Sequence, residues 1–225
     1  MKHSSSVLIY AGCFAMLFAA TWISKHNKSN RLFDAQGVLA NNSNTLLGLH
    51  IAGIYWLGLV PLILLKKSPE IIFVDSGFPD FLWLTVWVFL LIVIVITGLR
   101  AGRNIQIYQP YRHGFSNQFL TIYFLLRVLF LCSYELFFRG LLLFDCIKWQ
   151  GIYPAILLTT FFTVLIHVFT NKKEMLGCIP FGIMLSGCCI VFNAVWPAIV
   201  LHVALSMAYE LPPLTHFLKL LKLSK

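Results

Sequence analysis

The chain alternates long apolar runs with short polar loops. A helix needs about 20 mostly apolar residues to cross roughly 30 Å of hydrocarbon, so runs of that length bounded by charge, Pro, Gly or Asn predict membrane spans. Seven runs meet this condition, at residues 7–24, 46–65, 81–99, 118–146, 152–170, 175–192 and 196–211. The pattern therefore predicts an all-α, polytopic integral membrane protein with about seven transmembrane helices.

Composition and charge agree with this interpretation. Hydrophobic residues make up 59% of the 225 residues, more than a soluble core of this size could bury, so lipid must solvate most of the chain. The net charge of +9 resides mostly in short loops, where Lys and Arg indicate topology and not a nucleic-acid groove. Their distribution predicts a cytoplasmic C-terminus, and we expect the bacterial inner (plasma) membrane as the location.

The runs divide the chain into three regions. We expect residues 1–115 to form an N-terminal three-helix membrane region and residues 116–211 to form a functional core. Residues 212–225 alternate Leu with Lys219, Lys222 and Lys225, which predicts a basic tail on the membrane surface. The six cysteines have no C-x-x-C spacing, so neither a disulfide framework nor a cysteine zinc site is expected.

The fourth run is unusual because it contains ionisable residues. Arg127, Glu135 and Arg139 all lie inside it. A charge at membrane depth costs at least a few kcal/mol, so it normally faces a protein interior and has a partner. Glu135 and Arg139 stand at i and i+4, a spacing that lets a carboxylate and a guanidinium meet on one helix face. Taken alone, the two could be a structural ion pair that ties helices together.

More polar residues are expected near the same depth. His167 lies late in the fifth run, and His202 lies midway along the seventh with Ser206 one turn further on. The fourth and fifth runs should form a hairpin that turns near Gly151, and Glu135 and His167 each lie 16 residues from that glycine. At 1.5 Å per residue, both would be about 24 Å from the turn. These residues therefore predict one polar site.

Such a site permits two kinds of chemistry. A carboxylate and an imidazole can take a proton from water so that it attacks a carbonyl, while a second imidazole with a nearby hydroxyl holds the oxyanion. The same residue types could instead bind a divalent metal or relay protons in a transporter. We favour no metal and no other cofactor, since the chain contains no H-E-x-x-H motif. A transporter is disfavoured because no inverted repeat is evident.

Three motifs resemble a known family. Residues 134–140 read Tyr-Glu-Leu-Phe-Phe-Arg-Gly, residues 161–167 read Phe-Phe-Thr-Val-Leu-Ile-His, and residues 202–206 read His-Val-Ala-Leu-Ser. Their order and spacing resemble the Glu-Glu-x-x-x-Arg, Phe-x-x-x-His and His-x-x-x-Asn/Asp motifs of the CPBP family. These are the CAAX-protease and bacteriocin-processing (Abi-like) intramembrane glutamic endopeptidases, also called CAAX prenyl protease 2-like. The resemblance extends over about residues 118–209.

The resemblance implies a CAAX-protease-like helical core and an intramembrane endopeptidase. In that mechanism Glu135 with His167 would activate water, and Arg139 would position the carboxylate. His202 with Ser206 would stabilise the oxyanion. The expected substrate is a membrane-associated peptide or protein, cleaved near the membrane surface, and the lipid bilayer is the other partner.

One departure from the motif leaves a second hypothesis open. Tyr134 occupies the place of the first glutamate, which the family usually uses to activate water. Adjacent helical residues point about 100° apart, so Glu135 could replace that glutamate only if the helix rotated or the cavity were rearranged. The alternative is a pseudoprotease that keeps the fold and groove but binds a membrane peptide or partner, for example in immunity or in the regulation of processing.

Overall fold

The computed structural model describes residues 2–26, 31–34, 37, 40, 42–67, 80–107, 115–169 and 172–223. Helices account for most of these residues: α1 Lys2–His26, α2 Ser43–Gly53, π1 Ile54–Leu59, α3 Val60–Leu64, α4 Phe81–Arg103, α5 Asn117–Glu135, π2 Leu136–Leu142, α6 Leu143–Gln150, α7 Ile152–Ile166, a 3-10 turn His167–Phe169, α8 Lys172–Phe192 and α9 Trp196–Leu223. The segments α2–π1–α3 and α5–π2–α6 are continuous. Together the helices supply seven stretches long and apolar enough to cross a membrane, so the predicted all-α, seven-span architecture is confirmed.

Local chemistry explains where several helices begin and turn. The Asn42 side chain accepts hydrogen bonds from the first turn of α2, and the Ser116 hydroxyl accepts one from the main-chain N–H of Phe119 in α5. Gly151 separates α6 from α7 with a φ of +88°, a conformation that a side chain disfavours. The hairpin expected near Gly151 is therefore present, and it runs α6 and α7 in opposite directions.

The last helix is longer than predicted. The apolar run suggested an end near residue 211 and a separate basic tail, but α9 continues through Pro212 and Pro213 to Leu223. The continuation is stabilised because Leu214 and Phe217 are buried in a second apolar cluster that includes Phe33. Of the three tail lysines, the side chains of Lys222 and Lys225 lie outside the described residues.

Close helix contacts form the frame of the core. A Cβ added at Gly102 of α4 would lie 2.3 Å from the main-chain oxygen of Tyr209 in α9, so the two backbones approach closely. The main apolar cluster surrounds π2, where Phe137 and Phe138 are fully buried. Many large apolar side chains on the outside of the bundle, such as Phe89, are exposed, as expected of a surface that faces lipid.

Candidate active site

A cavity of about 350 Å³ lies between α4, α5, α7, α8 and α9. Its lining includes all five residues singled out from the sequence: Glu135, Arg139, His167, His202 and Ser206. They come from the end of α5, π2, the 3-10 turn after α7, and two successive turns of α9. The structure thus brings together in one cavity residues that lie up to 71 positions apart in the chain, from Glu135 to Ser206.

Glu135 is the centre of the polar contacts. Its Oε1 lies 2.5 Å from Nδ1 of His202, and its Oε2 lies 3.4 Å from Nε of Arg139. The side chains of Glu135 and Arg139 are fully buried, whereas that of His202 is 18% exposed. The ring of His202 is flanked edge-on by Tyr134 and Phe181, with centroids at 5.6 and 5.5 Å. Glu135 therefore joins an accessible imidazole to a buried guanidinium.

The residue that replaces the usual first glutamate does not line this cavity. Tyr134 is buried, and its ring packs against Phe138 at a centroid distance of 4.7 Å as well as against His202. The helix widens to π geometry at Leu136, directly after Glu135. Such π segments are frequent at functional sites, because they change the direction in which neighbouring side chains point. Glu135 is consequently the residue of this pair whose side chain borders the cavity.

His167 caps the C-terminal end of α7. Its Nδ1 lies 2.9 Å from the main-chain oxygen of Thr163. Because a carbonyl oxygen only accepts hydrogen bonds, Nδ1 must carry the hydrogen, and the lone pair of a neutral ring is then on Nε2. The same argument applies to His202, whose Nδ1 faces a carboxylate oxygen. Both histidines therefore hold their basic atom on the Nε2 side of the ring.

Ser206 belongs to a second polar network. Its hydroxyl accepts a hydrogen bond from Nε of Arg127 at 3.1 Å and donates one to Oε1 of Glu210 at 3.3 Å. Arg127 and Glu210 form an ion pair at 3.1 Å, and the hydroxyl of Tyr123 donates to Oε2 of Glu210 at 2.5 Å. Nη1 of Arg127 also lies 3.5 Å from Nε2 of His50. This network joins α2, α5 and α9 beside the cavity.

Sequence reasoning identified Arg127 as an intramembrane charge but missed its partner. Glu210 lies near the end of the predicted span 196–211. An acidic residue within a span indicates a buried, paired position, so the sequence did mark Glu210 as unusual. Because the network depends on which face of α9 turns towards α5, nothing in the local pattern assigned Glu210 to Arg127.

A third ion pair lies in the lining of the cavity. Arg31, from the segment that follows α1, contacts Glu174 of α8 with two nitrogen–oxygen distances of 3.2 and 3.0 Å. Its guanidinium also stacks over the ring of Tyr209 at 5.6 Å. Burial alone would lower the pKa of Arg31, but the nearby Glu174 carboxylate raises it above its ordinary value. Arg31 and Glu174 were not predicted, since both lie in or next to polar loops.

The Arg31–Glu174 pair lies towards one end of the bundle. Successive spans cross in alternate directions, so the start of α8 and the later turns of α9 lie on the same side of the bundle as the segment after α1. That side includes the loops that the charge distribution predicts to be cytoplasmic. Among the described residues, no cluster of three or more His, Cys, Asp or Glu side chains could hold a metal ion.

The fold and cavity define an integral membrane protein with a glutamate, arginine and histidine site enclosed by helices. Residues 116–208 match the family described as type II CAAX prenyl endopeptidase Rce1-like. This match confirms the resemblance drawn from the motifs: residues 116–208 are similar to the CAAX-protease-type intramembrane endopeptidase family. No curated protein and no solved structure matches the chain.

Proposed function

We propose that the protein is an intramembrane endopeptidase in which Glu135 and His202 form the catalytic dyad. The observation that supports this most strongly is the 2.5 Å contact between Glu135 Oε1 and His202 Nδ1, backed by Arg139 at 3.4 Å. A carboxylate that accepts the Nδ1 hydrogen fixes the imidazole tautomer and leaves Nε2 as the base. This assignment differs from the mechanism implied by the resemblance, in which Glu135 acts with His167.

The reaction begins when Nε2 of His202 takes a proton from water as the water oxygen attacks the carbonyl carbon of the peptide bond. The buried Glu135 carboxylate stabilises the imidazolium that forms, and Arg139 holds that carboxylate in place. The tetrahedral intermediate then collapses: the carbon–nitrogen bond breaks, and the leaving amine takes the proton from His202. His167, which lines the same cavity with its Nδ1 hydrogen directed to Thr163, is assigned to the positioning of the water.

The substrate is a membrane-associated peptide or protein whose scissile segment is uncharged. Among the described residues, the carboxylates that line the cavity, Glu135 and Glu174, each face an arginine, and Arg127 faces Glu210. The charges of these three ion pairs therefore cancel. An ionised substrate side chain next to Glu135 and His202 would lose its hydration, and no unpaired charge of the protein would compensate it. The family description makes a farnesylated peptide ending in Cys-aliphatic-aliphatic-X the first probe to use. We predict that cleavage occurs on the cytoplasmic side of a bacterial inner membrane.

The test is cleavage of this farnesylated peptide, and of its unprenylated counterpart, by purified protein in lipid nanodiscs. Glu135→Gln keeps the shape of the side chain but removes the charge that stabilises the imidazolium, so kcat should fall by about 10³ to 10⁴. His202→Gln should lower kcat by a similar factor, because the two residues act as one unit.

The matched control is Asp145→Asn, assayed like the others below its unfolding transition. Asp145 is also buried, but it contacts Tyr10 and Lys67 and does not line the cavity. The same carboxylate-to-amide change should therefore lower stability while leaving kcat unchanged. Full activity of Glu135→Gln would exclude the dyad.

The second candidate function is a pseudoprotease that binds a membrane peptide without cleaving it. The observation in its favour is the buried Tyr134 at the position where the family usually has its water-activating glutamate. If wild type binds the farnesylated peptide without cleaving it and Tyr134→Glu creates cleavage, the natural protein is a binding module. Cleavage by wild type that disappears in Glu135→Gln would instead support the endopeptidase.

A further inference from the structure

Hydrolysis in this cavity requires hydrogen-bond donors for the oxyanion, and most neutral donors there are already engaged. His167 and His202 each direct the Nδ1 hydrogen to a protein acceptor, and the Ser206 hydroxyl donates to Glu210. The hydroxyls of Thr97 and Thr163 in the lining donate to main-chain oxygens of their own helices. Ser206, predicted from the resemblance to hold the oxyanion, therefore has its single proton committed elsewhere.

Three arginines of the described part of the chain line the same cavity, and their surroundings distinguish them. Arg139 has no hydrogen-bond partner for its nitrogens among the described residues, but its side chain is fully buried and paired with Glu135, so we do not assign it to the substrate. Arg31 directs both terminal nitrogens to Glu174. Arg127 is 12% exposed, with Nε bound to Ser206 and Nη1 near His50, and its Nη2 has no hydrogen-bond partner among the described residues. Arg127 is thus the arginine with an available donor next to the open volume.

We infer that Arg127 is a catalytic residue, which donates from its guanidinium to the oxyanion formed when water attacks the peptide carbonyl. Ser206, to which Arg127 is bound at 3.1 Å, lies one helical turn from His202 on the same face of α9. Side chains at that spacing are about 6 Å apart, roughly the distance between a general base and the oxygen side of the carbonyl that its water attacks. The inference rests on the endopeptidase proposed above.

The network around Arg127 suits this role because it is fixed before the reaction. Glu210 pairs with Arg127 and is itself held by the hydroxyl of Tyr123, so the guanidinium need not reorganise as charge develops. Glu210 also balances the positive charge in the resting cavity, which lowers the cost of burying it. A charged donor then interacts with an anionic oxygen more strongly than with a neutral carbonyl. Arg127 should therefore stabilise the transition state more than the bound substrate.

The experiment compares two ligands for the same site: the farnesylated peptide and its phosphinate isostere, in which an anionic tetrahedral group replaces the scissile bond. Wild type should bind the phosphinate more tightly than the peptide. Arg127→Gln should lose that preference and lower kcat, both by about 10² to 10³, with KM nearly unchanged. Because Arg127→Gln leaves Glu210 unpaired, the double variant Arg127→Gln/Glu210→Gln provides a charge-balanced second test and should show the same loss.

The control is Asp145→Asn, which disturbs a buried hydrogen bond with Tyr10 outside the cavity and keeps the network around Arg127. It should lower the unfolding temperature and retain the preference for the phosphinate. If Arg127→Gln or the double variant keeps the wild-type preference, or if wild type has none, Arg127 is only structural and the inference is wrong. If wild type cleaves neither peptide but its preference for the phosphinate depends on Arg127, the proposed function and the catalytic role of Arg127 fail together, and Arg127 is only the group that recognises the tetrahedral anion.

Discussion

The buried pair of Glu135 and Arg139 permits a quantitative test of what holds the site together. The two side chains are fully buried, and their closest nitrogen and oxygen atoms are 3.4 Å apart. At an effective dielectric constant of about 20, such a pair attracts by about 5 kcal/mol. Nη1 and Nη2 of Arg139 have no hydrogen-bond partner among the described residues, so little else compensates its charge. Glu135→Gln should therefore destabilise the protein by about 3 to 5 kcal/mol.

A double-mutant cycle isolates this effect. Glu135→Gln/Arg139→Gln leaves no uncompensated arginine, so it should be more stable than Glu135→Gln alone, with a coupling energy of about 2 to 3 kcal/mol. The measurement is reversible unfolding in mixed micelles, followed by helical circular dichroism.

The control for this cycle is Lys67→Gln, which breaks a pair with Asp145 in which the lysine is 32% exposed, and it should cost less than about 1 kcal/mol. Additive effects of Glu135→Gln and Arg139→Gln would refute the reasoning, because they would mean that Arg139 does not depend on Glu135.

Two further predictions concern the frame of the cavity. Gly102→Ala would place Cβ 2.3 Å from the oxygen of Tyr209, so α4 must move away from α9, at a cost of about 1 to 3 kcal/mol in thermal unfolding. Gly48→Ala meets no atom within 4 Å, and equal stability of the two variants would contradict the close approach. Arg31→Gln breaks the ion pair with Glu174, in which both side chains are 23% exposed, so it should cost less than about 1 kcal/mol. The kcat of Arg31→Gln in the peptide assay should equal that of wild type. A decrease as large as that of Glu135→Gln or His202→Gln would mean that Arg31 takes part in catalysis.

The length of the spans was predictable because lipid imposes a local condition on each segment. A run must be apolar for about 20 residues and must satisfy its own main-chain hydrogen bonds, which a helix does within one segment. The end of α9 was not predictable in this way. Residues 212–223 are polar enough to suggest a tail, but Leu214 and Phe217 are buried against residues from distant parts of the chain. Packing between segments therefore extended a helix beyond its apolar run.

The sequence by itself determined the helices, their order and the five residues of the candidate site. Motif spacing identified Glu135, Arg139 and the two histidines, because charges and imidazoles inside spans need an interior to face. Tertiary structure decided which of them meet. It placed Glu135 against His202, and it joined Ser206 to a network centred on Arg127. Such pairings depend on the rotation and crossing of whole helices to within about the 3 Å of a hydrogen bond, and the pattern of one helix does not contain that information.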